Sequence, residues 1–442
     1  MRSSGSTRCK KSSKTLADGP KSALLWAYLR LSPLIRLFAR RHLEKRLLRG
    51  KEDGLRYREK LALTEVPRPE GVLVWMHAVG VGELLALPAL IRQMQQRQPG
   101  LQFLLTSSAR SSAQAVQNNL PADTIHQFLP LDSPHYVRRF LDHWQPQLSV
   151  WAERDIWPAF LTELERRGIP MALINGRMSE KSGDSKQKAR GFFSALYAKF
   201  RFIEVQDDIS AAQFARFGIA RDQIKVTGSL KAGADPLADQ PDEREHWQKA
   251  LAGRPLWLAA STHPADEIEV MKAHRLLLQS QPQSCLIIAP RDPGRARRLL
   301  RHASDQGFAA AILKNSTEPL DDVQILIIDK IGQLGVWFRL ADRCFVGGSF
   351  GHVGGHNPYE PARLDCAISH GPHIGNFAED YAAFHRHNAA RRVGDADELA
   401  QTLMDPSFVN TRSAAAMVAK QGQKPLAETA QRLLGLLQYQ DE

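Results

Sequence analysis

The chain alternates short apolar runs with longer segments in which apolar residues recur every three or four positions. Between residues 71 and 228 the short runs are VLVWMHAV, LQFLLTSS, HQFLPLD, LSVWAE, MALINGR, FRFIEVQ and IKVTG. After a polar stretch they continue as LWLAAS, CLIIAP, AAILK, ILIIDK, RCFVGGS and CAISHG. Short apolar strands that alternate with amphipathic helices are typical of parallel, doubly wound sheets. The pattern therefore predicts an α/β fold with two Rossmann-like domains that face a cleft.

Changes in this pattern predict the domain organisation. The polar stretch 231–245 is predicted to be a linker, and the final helical stretch is followed by no further strand. The predicted segments are a disordered basic tail at 1–22, an amphipathic, membrane-associating helical region at 23–60, an N-terminal Rossmann-like domain at 61–235, a C-terminal Rossmann-like domain at 236–410, and a C-terminal helix at 411–442 that packs back toward the N-terminal domain. Ligands of open α/β sheets bind outside the carboxyl ends of the strands, so the loops there are the candidate sites.

The region 23–60 combines apolar residues at helical spacing with interspersed arginines. Its longest unbroken apolar run, Ala23–Leu29, is far shorter than the roughly 20 residues of a membrane span. A signal-peptide cleavage site is also absent. A basic helix that carries Trp26 and Phe38 favours an interfacial anchor on an anionic bilayer. The alternative is an amphipathic helix that packs on its own domain.

Charge and cysteine content narrow the class of protein. The formal net charge of +12 favours an anionic partner, which could be a phosphorylated substrate, a nucleic acid or an anionic membrane. No interleaved aromatic and basic patch appears, so we do not expect nucleic-acid binding. The four cysteines form no C-x-x-C pair, and Cys285 and Cys344 lie in strand-like runs. This predicts buried thiols in a reducing, cytoplasmic compartment.

The turn HAVGVGE follows the first strand-like run of the N-terminal domain. Gly80 and Gly82 suggest a dinucleotide-binding loop, but the sixth position of that motif is Leu85, and the second strand ends without an acid. A carboxylate at this helix start would also repel a pyrophosphate. Glu83 is instead placed to be a general base. The alternative is that it only stabilises the first turn of its helix.

The richest loop of the C-terminal domain is FVGGSFGHVGGHNPYEPA, at 345–362. Its glycines allow a ligand to approach the backbone, and Asn357 and Glu360 adjoin a helix start with free amides for a phosphate or for sugar hydroxyls. His352 and His356 have the spacing of metal ligands in a helix, but the residues between them are Val-Gly-Gly, and we expect no metal site. The loops STHPADE and APRDPGR also follow strands and carry phosphate-binding residue types.

With these motifs in view, the chain resembles the Kdo transferases, which move 3-deoxy-D-manno-octulosonic acid (Kdo) from CMP-Kdo to lipid A precursors. The likeness runs from about residue 34 to residue 438. It rests on HAVGVGE, AERDIWPA, INGRMSEKS, VTGSLK, STHPADE, PRDPGR, IGQLG, FVGGS, GGHNPYEPA and GPHIGNF. The resemblance implies the glycosyltransferase B fold, an inverting reaction without a metal or another cofactor, and a location at the cytoplasmic face of the bacterial inner membrane.

The resemblance also implies roles for residues that match the family's motifs. Glu83 matches the general base. Donor-side positions are Pro290, Arg291, Ile331, Gly332, Leu334, Asn357, Glu360 and Lys231. Acceptor or cleft positions are Glu153, Trp157, Asn175, Arg177, Ser179 and Glu180. Further cleft candidates in the matching motifs are Ser261, Thr262, His263, His356, His373 and Asn376.

Several positions depart from the family's pattern. A serine is replaced by Gly80, a histidine by Asp292 and a glutamate by Gln333. An asparagine is replaced by Ser229 and a serine by Asp207. These differences leave two alternatives to a CMP-Kdo:lipid A transferase. One is a related transferase that uses another activated sugar or acceptor, and the other is a catalytically degenerate nucleotide-sugar-binding paralogue.

Overall fold

The computed structural model describes residues 22–117, 120–153, 156–313, 322–421 and 423–438. The predicted tail, apart from Ser22, and Cys9 lie outside the described residues. The first group of strands is β1 Leu73–His77, β2 Gln102–Ser107, β3 Thr124–Phe128, β4 Leu148–Ala152, β5 Met171–Gly176, β6 Phe202–Val205 and β7 Ile224–Val226. The helices up to β7 are α1 Ala23–Leu31, α2 Ile35–Leu48, α3 Val81–Arg97, α4 Arg110–Gln117, α5 Pro134–Trp144, α6 Pro158–Arg166, α7 Glu180–Gln187, α8 Arg190–Tyr197 and α9 Asp208–Ala215.

The second group of strands is β8 Leu256–Thr262, β9 Cys285–Pro290, β10 Ala310–Ile312, β11 Ile325–Ile327, β12 Arg343–Val346, β13 Ala367–His370 and β14 Arg391–Arg392. The accompanying helices are α10 Pro241–Ala250, α11 Pro264–Ser280, α12 Ala296–Asp305, α13 Leu334–Leu340, α14 Tyr359–Ala362, α15 Ala378–Arg386, α16 Ala396–Met404, α17 Pro406–Val409, α18 Thr411–Gln421 and α19 Gln423–Gln438. Short 3-10 turns lie at Ser32–Leu34, Tyr57–Leu61, Arg221–Gln223, Leu230–Gly233 and Pro293–Arg295.

The strands form two parallel sheets, each enclosed by helices. The first has the order β3-β2-β1-β4-β5-β6-β7 and the second the order β10-β11-β9-β8-β12-β13-β14. The central strands are buried on both faces, as β1 shows with all five residues buried, because helices cover both sides of a parallel sheet. The predicted doubly wound α/β architecture with two Rossmann-like halves is therefore confirmed.

Two local predictions were wrong. The predicted linker 231–245 already contains the start of α10, because Pro241 at the first helical position and two acidic residues after it favour a helix N-terminus. The amphipathic N-terminal pattern is not one helix, since Pro33 lies in a 3-10 turn between α1 and α2.

The C-terminal helix α19 packs against the first sheet's helix α3. Leu426 and Leu433 are buried in the same apolar cluster as β1 and α3. Glu204 of β6 is buried beneath α19 and accepts hydrogen bonds from Thr429 Oγ1 at 2.5 Å and Arg432 Nη1 at 2.9 Å. Burial raises the pKa of Glu204, and these two partners oppose that shift. The chain thus returns from the second half and closes the core of the first.

The N-terminal helix α1 is fixed to the first half through a buried carboxylate. The Tyr28 hydroxyl donates to Asp132 Oδ2 at 2.7 Å, and Asp132 also accepts from the backbone N–H groups of Ala159 and Phe160, both at 3.1 Å. Burial raises the pKa of Asp132, while these three hydrogen bonds oppose the rise. Among the described residues, no helix combines the length and apolar character needed to cross a bilayer.

Three of the cysteines are buried free thiols, namely Cys285, Cys344 and Cys366. The prediction of buried thiols at Cys285 and Cys344 is confirmed. Burial raises the pKa of the Cys285 thiol to about 11. Such thiols stay protonated at neutral pH and pack as small apolar groups.

Candidate active site

The predicted cleft residues of the first half follow three neighbouring strands. Strands β1 and β4 are paired, with His77 beside Trp151, and β4 is paired with β5, with Ala152 beside Ile174. Because these strands are parallel, the loops after them lie at one edge of the sheet. The structure therefore brings to one edge of the sheet Glu83 in the first turn of α3, Glu153 directly after β4, and Asn175 near the end of β5.

Glu83 is the third residue of α3, whose N-cap is Gly80. Its carboxylate folds back toward the start of the helix, since a Cβ atom placed on Gly80 would overlap Glu83 Oε2. A glutamate at this position commonly reaches back toward the N-cap. Gly80, which stands where the family motif has a serine, leaves the space that this side-chain position needs. The side chain is half-buried at the carboxyl end of β1.

Glu153 and Asn175 are held in unusual backbone conformations. Their φ angles are +67° and +54°, a region that residues other than glycine seldom adopt and that is concentrated at functional sites. Glu153 Oε1 lies 3.5 Å from Asn175 Nδ2 and 3.4 Å from Gln206 Nε2. Asn175 Oδ1 accepts from the backbone N–H of Leu230 at 3.0 Å. Asn175 therefore links Glu153 to the segment that leaves the first sheet.

Three other acceptor-side candidates lie at helix starts, namely Trp157, Ser179 and Glu180. Trp157 is the N-cap of α6, and its indole Nε1 is buried without a hydrogen-bond partner among the residues that the structure describes. Ser179 is the N-cap of α7, and its hydroxyl accepts from the backbone N–H of Ser182 at 3.3 Å. Glu180 is exposed in the first turn of the same helix. Thus Ser179 caps a helix, while Glu180 is exposed at the same edge as Glu153.

The glycine-rich loop of the second half is held by a buried carboxylate that the sequence analysis did not identify. Asp266 accepts hydrogen bonds from the backbone N–H groups of Gly348 at 2.7 Å, Ser349 at 3.1 Å and Phe350 at 2.9 Å. It also accepts from the N–H of His263, the N-cap of α11, at 2.8 Å. The signal was present in STHPADE, because an acid three residues after an N-cap is typical of a capping box.

Two of the predicted cleft histidines form a pair beside this loop. The Nε2 atoms of His263 and His356 lie 3.0 Å apart and the rings are stacked. One of these nitrogens must donate a proton and the other must accept it. If both rings were charged, two N–H donors would face each other. Gly348 adopts a φ of +70°, and a Cβ there would lie 2.9 Å from the His356 ring. The pair and the glycine therefore depend on each other.

Acidification should test the state of His356. Burial, followed by His263 and Arg291, lowers the pKa of His356 to about 4. On acidification the folded protein therefore takes up this proton at a lower pH than the unfolded chain does. Stability that is present above pH 6.5 should fall as the pH approaches 4. We compare the drop in unfolding free energy between pH 7.5 and pH 5 in the two proteins. We expect this drop to be about 1–2 kcal/mol smaller in His356→Gln than in the wild type. Urea unfolding at the two pH values measures this, and an identical decline would contradict the neutral pair.

The loop after β9 contains two arginines with different surroundings. Arg295 makes a bidentate ion pair with Glu267, at 3.0 and 2.8 Å, and Glu267 also lies 3.4 Å from Thr262 Oγ1. Arg291 directly follows Pro290, which ends β9, and is exposed. Asp292, which stands where the family motif has a histidine, accepts a hydrogen bond from the backbone N–H of Gly294 at 3.0 Å. Its carboxylate therefore has a local role in the turn.

Asn357 and Glu360 lie together at the short helix α14. Asn357 Oδ1 accepts from the N–H of Tyr359 at 3.0 Å, and its Nδ2 donates to Glu360 Oε1 at 3.3 Å. Burial raises the pKa of Glu360, while Asn357, Arg363 and Arg291 oppose that rise. The structure thus places these two donor-side candidates in direct contact, with Arg291 close enough to act on Glu360.

The remaining donor-side candidates are on two segments. Ile331 is 81% exposed and Gly332 has a φ of +92°, just before Leu334 begins α13. Gln333, which stands where the family motif has a glutamate, donates a hydrogen bond from Nε2 to the Glu243 carboxylate at 3.1 Å. Lys231 lies in a 3-10 turn, and its side chain is outside what the structure describes.

Arg177 joins the two halves across the cleft. Its Nη1 donates to the carbonyl oxygen of Asn376 at 2.7 Å and its Nη2 to that of Gly375 at 3.1 Å. Asn376 in turn donates to the carbonyl of Val353 in the glycine-rich loop at 2.8 Å. The same 373–376 segment places His373 against the His352 ring. An acceptor-side candidate and two further cleft candidates are therefore brought to one place.

Ser261 lies near the carboxyl end of the central strand β8 of the second sheet. It has a φ of +54° beside a register irregularity between β8 and β9. Its carbonyl oxygen lies where a Cβ on Gly347 would come within 2.7 Å. Within the described ranges, no cluster of three or more His, Cys, Asp or Glu side chains has the arrangement of a metal site. The candidate site therefore consists of carboxylates, arginines, histidines and backbone amides.

Known proteins resemble this chain over most of its length. A family model described as 3-deoxy-D-manno-octulosonic-acid transferase (kdotransferase) matches residues 55–234. The 3-deoxy-D-manno-octulosonic acid transferase of Haemophilus influenzae is 29% identical over 86% of this chain and 91% of its own length. Its counterpart in Rickettsia bellii is 30% identical over 82% of this chain and 86% of its own length.

Solved structures share the fold at low sequence identity. A glycosyltransferase from Rickettsia africae has a TM-score of 0.54 at 9% identity and covers 84% of this chain and 99% of its own. A UDP-GlcNAc 2-epimerase from Neisseria meningitidis has a TM-score of 0.55 at 12% identity and covers 83% of this chain and 100% of its own. These neighbours support the glycosyltransferase B architecture. The Rickettsia bellii relative, 30% identical over most of both chains, shows that this chain belongs to the Kdo transferase family of glycosyltransferases.

Proposed function

We propose that the protein transfers Kdo from CMP-Kdo to a lipid A precursor, with inversion at the anomeric carbon and Glu83 as the general base. One observation carries the proposal. A half-buried carboxylate at the end of β1 lies on one side of the cleft, and a clamped, amide-rich loop with Arg291 nearby lies on the other. Arg177 links the two sides.

The donor side has the groups that a nucleotide monophosphate requires. The exposed guanidinium of Arg291, beside the glycine-rich loop, supplies positive charge for the phosphate that leaves with the nucleotide. Asp266 occupies three of the loop amides, which fixes the loop before substrate arrives. The leaving CMP carries a single phosphate, whose charge these groups can match. The proposed reaction therefore uses no metal and no other cofactor.

The chemical step requires one proton acceptor. The Glu83 carboxylate takes the proton of an acceptor hydroxyl while that oxygen attacks the anomeric carbon of Kdo. The new glycosidic bond forms as the bond from the anomeric carbon to the CMP phosphate oxygen breaks, and CMP leaves with that electron pair. General-base catalysis of this kind contributes about 10²–10⁴ in rate.

The acceptor would reach the cleft from a membrane surface. On helices α1 and α2, Trp26 is 63% exposed and Phe38 is 66% exposed, with arginines between them in sequence. This composition suits an interfacial helix on an anionic leaflet. We place the protein as a monotopic or peripheral protein at the cytoplasmic face of the bacterial inner membrane.

Mass spectrometry of the reaction product is the direct test. We expect the protein, CMP-Kdo and a tetra-acylated lipid A precursor to yield CMP and an acceptor heavier by whole Kdo residues. A panel of other nucleotide sugars should give no product. Turnover with a different donor alone would indicate a transferase of altered specificity. Absence of turnover with all donors, with CMP-Kdo binding retained, would indicate a degenerate paralogue.

A further inference from the structure

A cavity of about 730 Å³ lies between the N-terminal helices and the outer face of α5. Leu29 and Pro33 form its apolar wall, and Arg138, Arg139 and Asp142 line the opposite wall. The residues that line it include none of the donor, acceptor or cleft candidates. The cavity is therefore separate from the candidate active site.

The cavity has a positive balance of charge. Arg138 and Arg139 are exposed toward it, and Arg36 of α2 acts on His135 together with Arg139. Burial, followed by these two arginines, lowers the pKa of His135, since both disfavour the charged imidazole. The first turn of α5 also contributes the positive end of its dipole.

The acidic groups at the cavity have their own cationic partners. Asp142 pairs with Arg167 Nη2 at 2.7 Å. Glu163, which lies 4.0 Å from Arg138, is bound more closely by Arg166 at 2.6 Å and by Arg167 at 2.9 Å. These carboxylates therefore leave the potential from Arg138 and Arg139 largely uncompensated.

Exposed apolar residues lie beside the cavity in the chain. The side chains of Leu31, Leu34 and Leu37 are more than half exposed, and they flank the lining residue Pro33. Exposing such a row of leucines to water is unfavourable in free energy, whereas the row suits the boundary between lipid headgroups and acyl chains. A basic cavity next to this boundary would lie at the depth of the lipid phosphates.

We propose that this cavity binds the phosphate of an anionic phospholipid headgroup, and that a phosphomonoester fits it best. The inference rests on the membrane association in the proposed function and adds the headgroup as a specific ligand. Paired guanidinium groups bind phosphate oxygens through charge-assisted hydrogen bonds, more strongly when the phosphate carries a second negative charge. Tyr28 and Asp132 fix α1 next to α5, so this wall of the cavity exists before the lipid arrives.

Vesicle binding by the full-length protein tests the site. The vesicles are phosphatidylcholine with phosphatidic acid or with phosphatidylserine, adjusted to equal surface potential. The variant is Arg138→Gln/Arg139→Gln. The matched control is Arg41→Gln/Lys45→Gln, which removes the same charge from exposed positions of α2 that do not line the cavity. Circular dichroism confirms that each variant is folded.

We expect the wild type to bind phosphatidic acid vesicles at least fivefold more tightly than phosphatidylserine vesicles. The cavity variant should lose this preference, while the control should keep it even if both vesicle affinities fall. A wild type without the preference, or a cavity variant that retains it, overturns the proposal. Tight binding of free glycerol 3-phosphate that displaces the vesicles would also overturn it, in favour of a soluble phosphate ligand.

Transfer to a detergent-solubilised acceptor is measured in parallel. The cavity variant should stay within twofold of the wild type in KM and kcat. If its KM for the acceptor instead rises tenfold while vesicle binding is unchanged, the cavity belongs to the acceptor and the proposal fails. If the wild type transfers no Kdo but shows the lipid preference, the proposed function fails and the headgroup site stands.

Discussion

Glu83→Gln should lower the kcat for Kdo transfer by about 10²–10⁴ while the KM for CMP-Kdo changes little. The amide keeps the size of the side chain but cannot take a proton from the acceptor hydroxyl. Its effect should therefore appear in the chemical step. Steady-state kinetics with CMP release as the readout, and CMP-Kdo as the varied substrate, measure both parameters.

A matched control for this substitution is Asp208→Asn. Asp208 is likewise a first-turn acid, at the start of α9 in the same half of the protein, and it is exposed. The control should keep kcat within about twofold, because helix-dipole contributions are only about 0.3–1 kcal/mol. If Glu83→Gln lost no more activity than Asp208→Asn, Glu83 would be a helix-stabilising residue and another group would be the base.

Gly80→Ser gives a second view of the same carboxylate. Gly80 has a φ of −77°, so a serine fits the backbone, and the overlap concerns only the tip of the Glu83 side chain. We expect the variant to fold and the carboxylate to turn away from the helix start. An active Gly80→Ser enzyme combined with an inactive Glu83→Gln enzyme would show that catalysis needs the carboxylate in the cleft and not over Gly80.

The fold was predictable because the alternation of buried strands and amphipathic helices follows from burial of both sheet faces. This pattern does not depend on distant contacts. The strand β14 was missed because it has two residues, Arg391 and Arg392, and no apolar character. The position of α10 was missed because a polar, acidic segment can be a linker or a solvated helix. Pro241 was the signal that distinguishes the two.

The site was predictable only in part. Positions after strands were clear, since topology alone places them at one edge of each sheet. Contacts across the cleft were not, because Arg177 and Asn376 are 199 residues apart in sequence. The sequence also could not show that Asp266 holds a loop more than 80 residues away, as its local position explains it equally well as a helix cap. Roles that depend on a second partner require the fold.

Asp266→Asn should be among the most damaging substitutions in the donor half. The carboxylate accepts four backbone N–H groups at 2.7–3.1 Å in a fully buried position. The asparagine loses the negative charge and turns an NH2 group toward some of these donors. We expect a loss of about 3–5 kcal/mol in the free energy of unfolding, as when one partner is removed from a buried charged network. Urea unfolding followed through the buried tryptophans Trp257 and Trp337 measures this loss.

The same variant should bind CMP more weakly, by at least tenfold, because the loop amides near Gly348 are no longer fixed before the nucleotide arrives. Calorimetric titration with CMP at low temperature separates this effect from unfolding. Asp305→Asn, an exposed acid at the end of α12, is the control and should change neither quantity. A folded Asp266→Asn protein with wild-type CMP affinity would mean that the clamp serves the stability of the fold alone. Weaker binding in a protein that is still folded would mean that Asp266 acts on the nucleotide through the glycine-rich loop.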